Sequence, residues 1–191
     1  INESAAKAIG LDATQNLQLV NPMRDDQKRL RQSLIPNFLS ASETIVKKES
    51  LTRMFEIGHI YPVKDDEQLC VAGAIMRRGQ ADAKDFYEAK GIVEYIVEVL
   101  NLPSISFRSE NLEKWLDLGV SASLYCGSQK IGLMGQISED VLKKMNIRGG
   151  VTVFEINLSK LEQLERLEKV YNPPFPYPTV QRDISLLLPE G

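Results

Sequence analysis

The chain has 191 residues, of which 43% are hydrophobic and 26% charged, and its net charge is −3. This length and composition indicate a globular chain of one domain, or one domain with part of another, that is long enough to bury a sizeable core. The charge argues against a nucleic-acid-binding module that acts alone, because such modules carry a basic excess.

The first 22 residues predict a short helix, a strand and a turn. Small and polar residues dominate the start, and Gly10 supplies a C-terminal stop for a helix. Leu17–Val20 alternates between apolar and polar side chains, which is typical of a strand. Asn21 and Pro22 then end this strand as a turn.

Pro36 divides the next helical segment, because proline lacks an N–H group and clashes with the preceding helical turn. We predict a short helical piece over residues 26–34 and a second helix that begins near Pro36 and continues to Lys48. The apolar face of the second helix comprises Phe38, Leu39, Ser42, Ile45 and Val46. A basic cluster precedes it, and this cluster is either a solvated face or a surface for phosphate or a partner; it comprises Arg24, Lys28, Arg29 and Arg31.

Two apolar runs predict a β-hairpin, Leu51–Tyr61 and Leu69–Met76, joined by the hydrophilic loop Pro62–Gln68. The second strand is mostly apolar and is therefore expected to be central in its sheet. Gly58 lies inside the first strand, where glycine indicates a bulge or a close backbone approach.

The clearest helix is predicted over Asp85–Leu100, with Asp85 as its N-cap and Glu88 completing a capping box. Further strands are predicted at Ser104–Arg108, Val120–Tyr125, Lys130–Ile137 and Val151–Asn157. The connections are a hairpin turn at Gly127–Ser128, a short helix over 139–145 capped by Ser138, and a loop at Gly149–Gly150. A last amphipathic helix is predicted from Leu161, Leu164 and Leu167.

The C-terminal part changes character. Asn172–Pro178 contains four prolines and predicts a stiff linker. Ile184–Leu188 then predicts the first strand of a further domain, so the expected organisation is one module over 1–170 and a linker with that strand over 171–191. Together with the missing initiator methionine, this organisation is what we expect of a segment from a longer protein.

Residues with catalytic potential are few. His59, the single histidine, has apolar neighbours and is expected to be structural. Cys70 and Cys126 each lie in an apolar segment, which favours buried thiols in a cytosolic protein over a disulfide or a metal site. The acidic run Asp65–Glu67 is expected to be a solvated loop. No phosphate-binding glycine loop, apolar run of membrane-spanning length or signal peptide is found.

Several segments together resemble the core-like module of the beta subunit of bacterial phenylalanyl-tRNA synthetase. They are Asn21–Pro22, Leu30–Pro36, Phe55–Gly58, Asp85–Gly91, Gly119–Ala122, Ile131–Ile137 and Tyr177–Ile184. Each motif is modest, but their shared order makes the resemblance strong. Asp117–Leu118 and Ser138–Glu139 depart from it, because the family carries His-Pro pairs at those places.

The resemblance implies an α+β fold like that of class II aminoacyl-tRNA synthetases, with a mainly antiparallel sheet flanked by helices. It also implies a degenerate active site. Working class II cores hold ATP with an arginine on the hairpin and another in a "GxGxGxxR" strand–helix motif. The loop Pro62–Gln68 contains no arginine, and no such motif follows it.

The resemblance further implies a cytoplasmic, non-catalytic module that supports an (αβ)2 assembly with the alpha subunit, without contact to a membrane. ATP, magnesium and tRNA then belong to the whole complex, and no cofactor belongs to this chain. The candidate subunit-interface residues are Asn21, Pro22, Arg31, Ser33, Pro36, Phe38, Glu56 and Gly58. The alternatives are an independent ATP-dependent ligase of the class II superfamily, such as an amidoligase or lipoate-ligase relative, and a tRNA-binding module.

Overall fold

A computed structural model describes residues 3–11, 17–21, 29–63, 65–164 and 182–185. Its helices are α1 (Glu3–Ala8), α2 (Ile35–Lys48), α3 (Ala83–Val99), α4 (Glu139–Lys144) and α5 (Leu158–Glu162). Its strands are β1 (Leu51–Ile60), β2 (Gln68–Arg78), β3 (Ile105–Arg108), β4 (Leu116–Cys126), β5 (Gln129–Ile137) and β6 (Gly149–Asn157).

The six strands form one antiparallel sheet in the order β1-β2-β6-β5-β4-β3. The sheet contains two hairpins, β1–β2 and β4–β5, in each of which the two strands are adjacent both in the chain and in the sheet. The strand β6 lies between them and pairs with β2 on one side and β5 on the other. The sheet therefore has β1 and β3 at its edges, and the prediction that the hairpin's second strand is central is confirmed.

Helices cover both faces of the sheet and give two apolar cores. Successive side chains of β2 point to opposite faces of the sheet and so enter different cores. The core under α1 and α2 receives Cys70, Ala72, Ala74 and Met76. The intervening Val71 and Ile75 face the core under α3 and α5. A strand buried on both faces reads as a continuous apolar run, as this one does.

Helix α2 begins one residue before the proline that the sequence singled out. Pro36 occupies the first turn, where its missing N–H costs nothing, and Phe38, Leu39 and Val46 are buried on the predicted apolar face. The Arg78 guanidinium ends the helix by donating to the carbonyl oxygens of Val46, Lys47 and Lys48 at 3.3, 3.1 and 2.8 Å. This cation at the C-terminus also complements the helix dipole.

Helix α3 starts earlier than predicted. Its N-cap is Asp82, whose side chain accepts from the Lys84 N–H at 2.9 Å, while Asp85 is the reciprocal partner in the capping box. The prediction of Asp85 as the N-cap was therefore wrong by three residues. Asp82 and Asp85 both match the sequence pattern of a helix N-cap. In the structure Asp82 is the N-cap, and the Asp85 carboxylate accepts hydrogen bonds from Arg77. Glu88, which was predicted to complete the capping box, is not part of it and pairs with Arg53 on β1.

Three local predictions differ from the structure. Leu17–Val20 forms a single bridge from Gln18 to Arg29 instead of a strand, and the described part of the 26–34 segment is not helical. Gly149 and Gly150 begin β6 instead of forming a loop. A Cβ at Gly149 would meet the Arg77 carbonyl of β2 and one at Gly150 would meet Ala81 in the connection from β2 to α3, so these glycines allow close backbone contact.

Some predictions lie outside the described residues: Pro22, Arg24, Lys28, Leu167, Asn172–Pro178 and Leu186–Leu188. Ile184 and Ser185 are described and are not in a strand. The division between 1–170 and 171–191 stays a prediction.

Candidate functional site

The Arg31 side chain fastens the segment before α2 to the edge strand β1. Its Nε donates to the His59 carbonyl at 2.8 Å, and its Nη1 pairs with the Glu56 carboxylate. In return, the Tyr61 N–H donates to the Arg31 carbonyl at 2.7 Å. The backbone of residue 31 is therefore held beside the residue that follows β1.

Gly58 makes room for this arrangement. A Cβ at position 58 would overlap the end of the Arg31 side chain, whereas neither the bulge nor the close approach of another backbone that the sequence suggested is seen there. The Asn37 amide donates to the other oxygen of Glu56 at 3.3 Å, which joins α2 to the same cluster. Three candidate interface residues, Arg31, Glu56 and Gly58, are thus brought together.

Ser33 lies in a second cluster, around the carboxylate of Glu155 on β6. The Ser33 hydroxyl and the Leu34 N–H both donate to Oε2 of Glu155, at 2.9 and 2.7 Å. The Ser33 oxygen also accepts from the Ile35 N–H at 3.1 Å, at the start of α2. Burial raises the pKa of Glu155, and these hydrogen bonds oppose that rise in part.

The remaining candidate interface residues are placed differently. Pro36 and Phe38 are buried within the chain's own core, whereas Asn21 is exposed. Pro22 lies outside the described residues. The contacts of Arg31, Ser33, Pro36 and Phe38 shown above are internal, and the assignment of these eight residues to a subunit interface stays a prediction.

Sequence reasoning missed an exposed apolar surface along the β1 side of the sheet. Val20 is 94% exposed and Phe55 is 76% exposed. The exposed apolar residues that we together call the apolar edge are Leu17, Leu19 and Val20 in the segment before α2, and Phe55 and Ile57 on β1. Leu17 accepts from the Leu30 N–H at 2.9 Å, and Arg31 joins that segment to β1. The signal in the sequence was the adjacent apolar pair Met54 and Phe55, which a strand with one solvated face does not carry.

A cleft of about 150 Å³ opens where β2, β5, β6 and α5 meet, and we call it the sheet cleft. It is lined by Ile60, Cys70, Glu113, Lys130, Ile131, Gly132, Leu133, Glu155, Asn157 and Lys160. The strand–helix unit β6–α5 contributes Asn157 and Lys160 but no arginine. Burial raises the pKa of the Cys70 thiol to about 12, so this cysteine is protonated at neutral pH and is a poor nucleophile.

The other candidate groups have simple surroundings. Cys70 and Cys126 are buried free thiols, as predicted. The exposed His59 lies 3.6 Å from a Glu67 oxygen. Among the described residues, no three His, Cys, Asp or Glu side chains form a group that could hold a metal ion. In the same part of the chain, no helix is both long enough and apolar enough to cross a membrane.

Comparison with known families decides the family membership. The sequence model described as "Phenylalanyl tRNA synthetase beta chain CLM domain" matches residues 1–158. The chain belongs to this family. It is 33% identical over 185 residues to the phenylalanine–tRNA ligase beta subunit of Dehalococcoides mccartyi strain CBDB1, covering 90% of this chain and 22% of that protein.

The beta subunit of Bacillus subtilis is 32% identical over 200 residues, which cover 97% of this chain and 25% of the subunit. This chain therefore spans about a quarter of the length of these two curated relatives. Pyrrolysyl-tRNA synthetase from Desulfitobacterium hafniense superposes with a TM-score of 0.65 at 13% identity, covering 85% of this chain and 59% of the other. This likeness confirms the predicted α+β, class II synthetase-like fold.

Replacing Glu155 with glutamine is expected to change how stability depends on pH. Because burial raises the pKa of Glu155, the wild-type chain loses unfolding free energy as the pH rises from the ordinary carboxyl pKa through the raised value. Glutamine keeps an oxygen for Ser33 and Leu34 but does not titrate. Urea unfolding at pH 5 and pH 8 should show the variant gaining stability relative to wild type at the higher pH. An unchanged difference between the two pH values would contradict this.

Proposed function

We propose that this chain is a non-catalytic, core-like module of a phenylalanyl-tRNA synthetase beta subunit, and that it supports an (αβ)2 assembly with the alpha subunit. Family membership supports the parent enzyme. The observation that carries the assembly role is the apolar edge, because large apolar side chains that stay exposed mark surfaces that bind other proteins. Asn21, the exposed member of the candidate interface among the described residues, follows Val20 in the chain.

The non-catalytic role is supported by the residues at the two places where class II cores hold ATP. The loop Pro62–Gln68 between β1 and β2 carries one lysine and no arginine, and no glycine-rich strand–helix motif with an arginine follows it in the sequence. A lysine is a point charge and does not supply the planar, bidentate fork of arginine. Calorimetric titration of ATP into the chain separates this proposal from the independent ligase, which needs an ATP site.

The complex, in this proposal, charges tRNA with phenylalanine using ATP and magnesium in the cytoplasm, and these ligands bind elsewhere in the assembly. A module that binds tRNA by itself is the remaining alternative. Its binding would weaken steeply with salt, because each phosphate contact releases counterions.

The assembly role is tested on the full-length beta subunit that contains this module. Val20→Asp combined with Phe55→Asp places charges on the apolar edge without entering either core. We expect the variant to bind its alpha subunit at least about tenfold more weakly, since exposed apolar anchors are typical interface hot spots. The measurements are co-purification with the alpha subunit and phenylalanine charging of tRNA by the mixture.

Leu118→Asp is the matched control, because Leu118 is also an exposed apolar side chain but lies near the opposite side of the sheet, on β4. It should leave both measurements unchanged. Full co-purification by the double variant would contradict the proposal. A variant that carries Arg31→Glu and Phe38→Asp is less informative, because Phe38 is buried in the core and its loss of assembly would report unfolding.

A further inference from the structure

Strand β1 lies at an edge of the sheet, and its contacts with Arg31 show which backbone groups point away from β2. It pairs with β2 through ten consecutive residues without a bulge. On the other side, the Tyr61 N–H donates to the Arg31 carbonyl at 2.7 Å, and the His59 carbonyl accepts from Arg31 Nε at 2.8 Å. Alternate residues of a strand turn their N–H and C=O groups to the same side. The odd-numbered residues of β1 therefore point these groups outward.

The outward backbone groups before residue 58 are unpaired. Among the described residues, none forms a backbone hydrogen bond with the outward groups of Arg53, Phe55 or Ile57. Beyond them, the segment before α2 occupies the edge of the sheet. The free stretch of the edge is therefore Leu51–Ile57, and the residue at its centre is Met54.

The charged side chains of this stretch are both paired within the chain. Arg53 pairs with Glu88 on α3, and Glu56 pairs with Arg31. Natural edge strands often carry charges that keep other strands from pairing with them. On β1 these charges are neutralised internally, while apolar side chains such as Phe55 stay exposed. The edge thus lacks this common protection against pairing.

We infer that β1 pairs with β1 of a second copy of this chain, antiparallel and about a two-fold axis at Met54. This register uses the whole free stretch of both copies. It places Arg53 opposite Phe55 of the second copy, where a guanidinium can lie over an aromatic ring. Because both copies use the same edge, the pairing closes at a dimer.

Other registers are disfavoured by charge or by space. Outward groups must face outward groups, so an odd-numbered residue can lie opposite only another odd-numbered residue. An axis at Arg53 or at Glu56 would place two like charges opposite each other. An axis at Phe55 would bring Leu51 opposite His59, whose outer side is taken by Arg31.

This inference goes beyond the proposed assembly role, since the occupant of the edge is a second copy of the chain. Phe55 belongs both to the paired stretch and to the apolar edge. Self-pairing would therefore compete with the contact that we propose for the alpha subunit. Its test needs no alpha subunit.

A cysteine at the two-fold axis tests the register. Residue 54 meets its own copy in a non-hydrogen-bonded pair, where the Cα atoms lie about 4.5 Å apart, and a disulfide spans Cα separations of about 4.4–6.8 Å. We expect Met54→Cys to form a covalent dimer under mild oxidation, measured by non-reducing electrophoresis. Thr52→Cys is the matched control on the same face of β1, because its two copies lie about 13 Å apart in this register. Cys70 and Cys126 are buried, so the wild-type chain should give no covalent dimer.

A proline tests the backbone pairing. Proline is tolerated on an edge strand where the missing N–H would face outward, so Phe55→Pro spares the pairing of β1 with β2. Phe55→Ala is its control, because it removes the same side chain but keeps the N–H. Sedimentation equilibrium should show a monomer–dimer equilibrium for the wild-type chain. We expect the dissociation constant of Phe55→Pro to be at least about tenfold higher than that of Phe55→Ala, since each copy loses one intermolecular hydrogen bond.

A wild-type chain that stays monomeric at every concentration tested would overturn the inference. Equal cross-linking of Met54→Cys and Thr52→Cys would overturn the register, and equal dissociation constants for Phe55→Pro and Phe55→Ala would overturn the backbone pairing. If circular dichroism shows that Phe55→Pro is unfolded, the two cysteine variants decide the question. A negative result here leaves co-purification with the alpha subunit as an independent test of the proposed function.

Discussion

Asp85→Ala is expected to lower the free energy of unfolding by about 3 kcal/mol, because it removes the buried partner of the ion pair between Arg77 and Asp85. Asp85 is 1% exposed, and the Arg77 guanidinium donates to both of its carboxylate oxygens, at 2.8 and 2.5 Å. Its Oδ2 also accepts from the Asp82 N–H at 3.3 Å, within the capping box of α3. The substitution therefore leaves a cation without its partner and removes half of a helix cap.

Urea unfolding at pH 7 measures this loss. Glu139→Ala is the control, because Glu139 forms an exposed pair with Lys143 on α4 and such pairs contribute little to stability. A loss for Asp85→Ala no larger than that for Glu139→Ala would show that Arg77 and Asp85 are independent in solution.

The same pair gives a pH dependence of opposite sign to that of Glu155. The hydrogen bond from Arg77 holds the pKa of Asp85 below its ordinary value. A lowered carboxyl pKa contributes stability that is fully present above the unfolded-state pKa, near 4, and is lost as the pH falls through the lowered folded-state value. The acid limb of the wild-type profile should therefore be steeper than that of Asp85→Asn.

Gly132→Ala is expected to destabilise the chain by about 3 kcal/mol, at the upper end of the usual cost of overpacking. Gly132 lies on β5 opposite Ile156 of β6. A Cβ there would overlap the carbonyl oxygen of Glu155 and lie 3.1 Å from the Ile156 Cα. These neighbours are backbone atoms of a central strand, so relief requires the two strands to separate.

Gly91→Ala provides the opposite result with the same chemical change. Gly91 is an exposed residue in the interior of α3, and a Cβ there meets nothing within 4 Å. Alanine is preferred over glycine in a helix by up to about 1 kcal/mol, so this variant should be more stable than wild type. Thermal unfolding of both variants measures the contrast, and equal effects would contradict the close contact at Gly132.

The sequence predicted the elements whose signals are local. Pro36 located the start of α2, and alternating or continuous apolar runs located the β1–β2 hairpin and the strands after it. The N-cap of α3 was misplaced because Asp82 and Asp85 both satisfy the cap pattern, and only the position of Arg77 distinguishes them. Gly149 and Gly150 were interpreted as a loop because their close backbone contacts with residues 77 and 81 cannot be recognised from the sequence.

The parts that were not predicted depend on residues distant in the chain. Ser33 and Glu155 meet only because β6 lies beside β2. No local sequence pattern predicts that these two strands pair. The apolar edge likewise depends on strand order, since Phe55 and Ile57 would be ordinary core residues on an inner strand. Family resemblance predicted the fold, but it could not assign these side chains to a buried or an exposed position.

The position of β6 also bears on how the chain reaches its folded state. Each hairpin pairs residues that are close in sequence, so β1–β2 and β4–β5 need little loop closure to form. The strand β6 can pair with β2 only after Gly149–Asn157 has left the ribosome. Because β2 ends at Arg78, this pairing joins segments that are far apart in the sequence. During that interval the inner edges of both hairpins are unpaired strands that other chains can join. The hairpins therefore stay open to misassociation during synthesis until β6 is available.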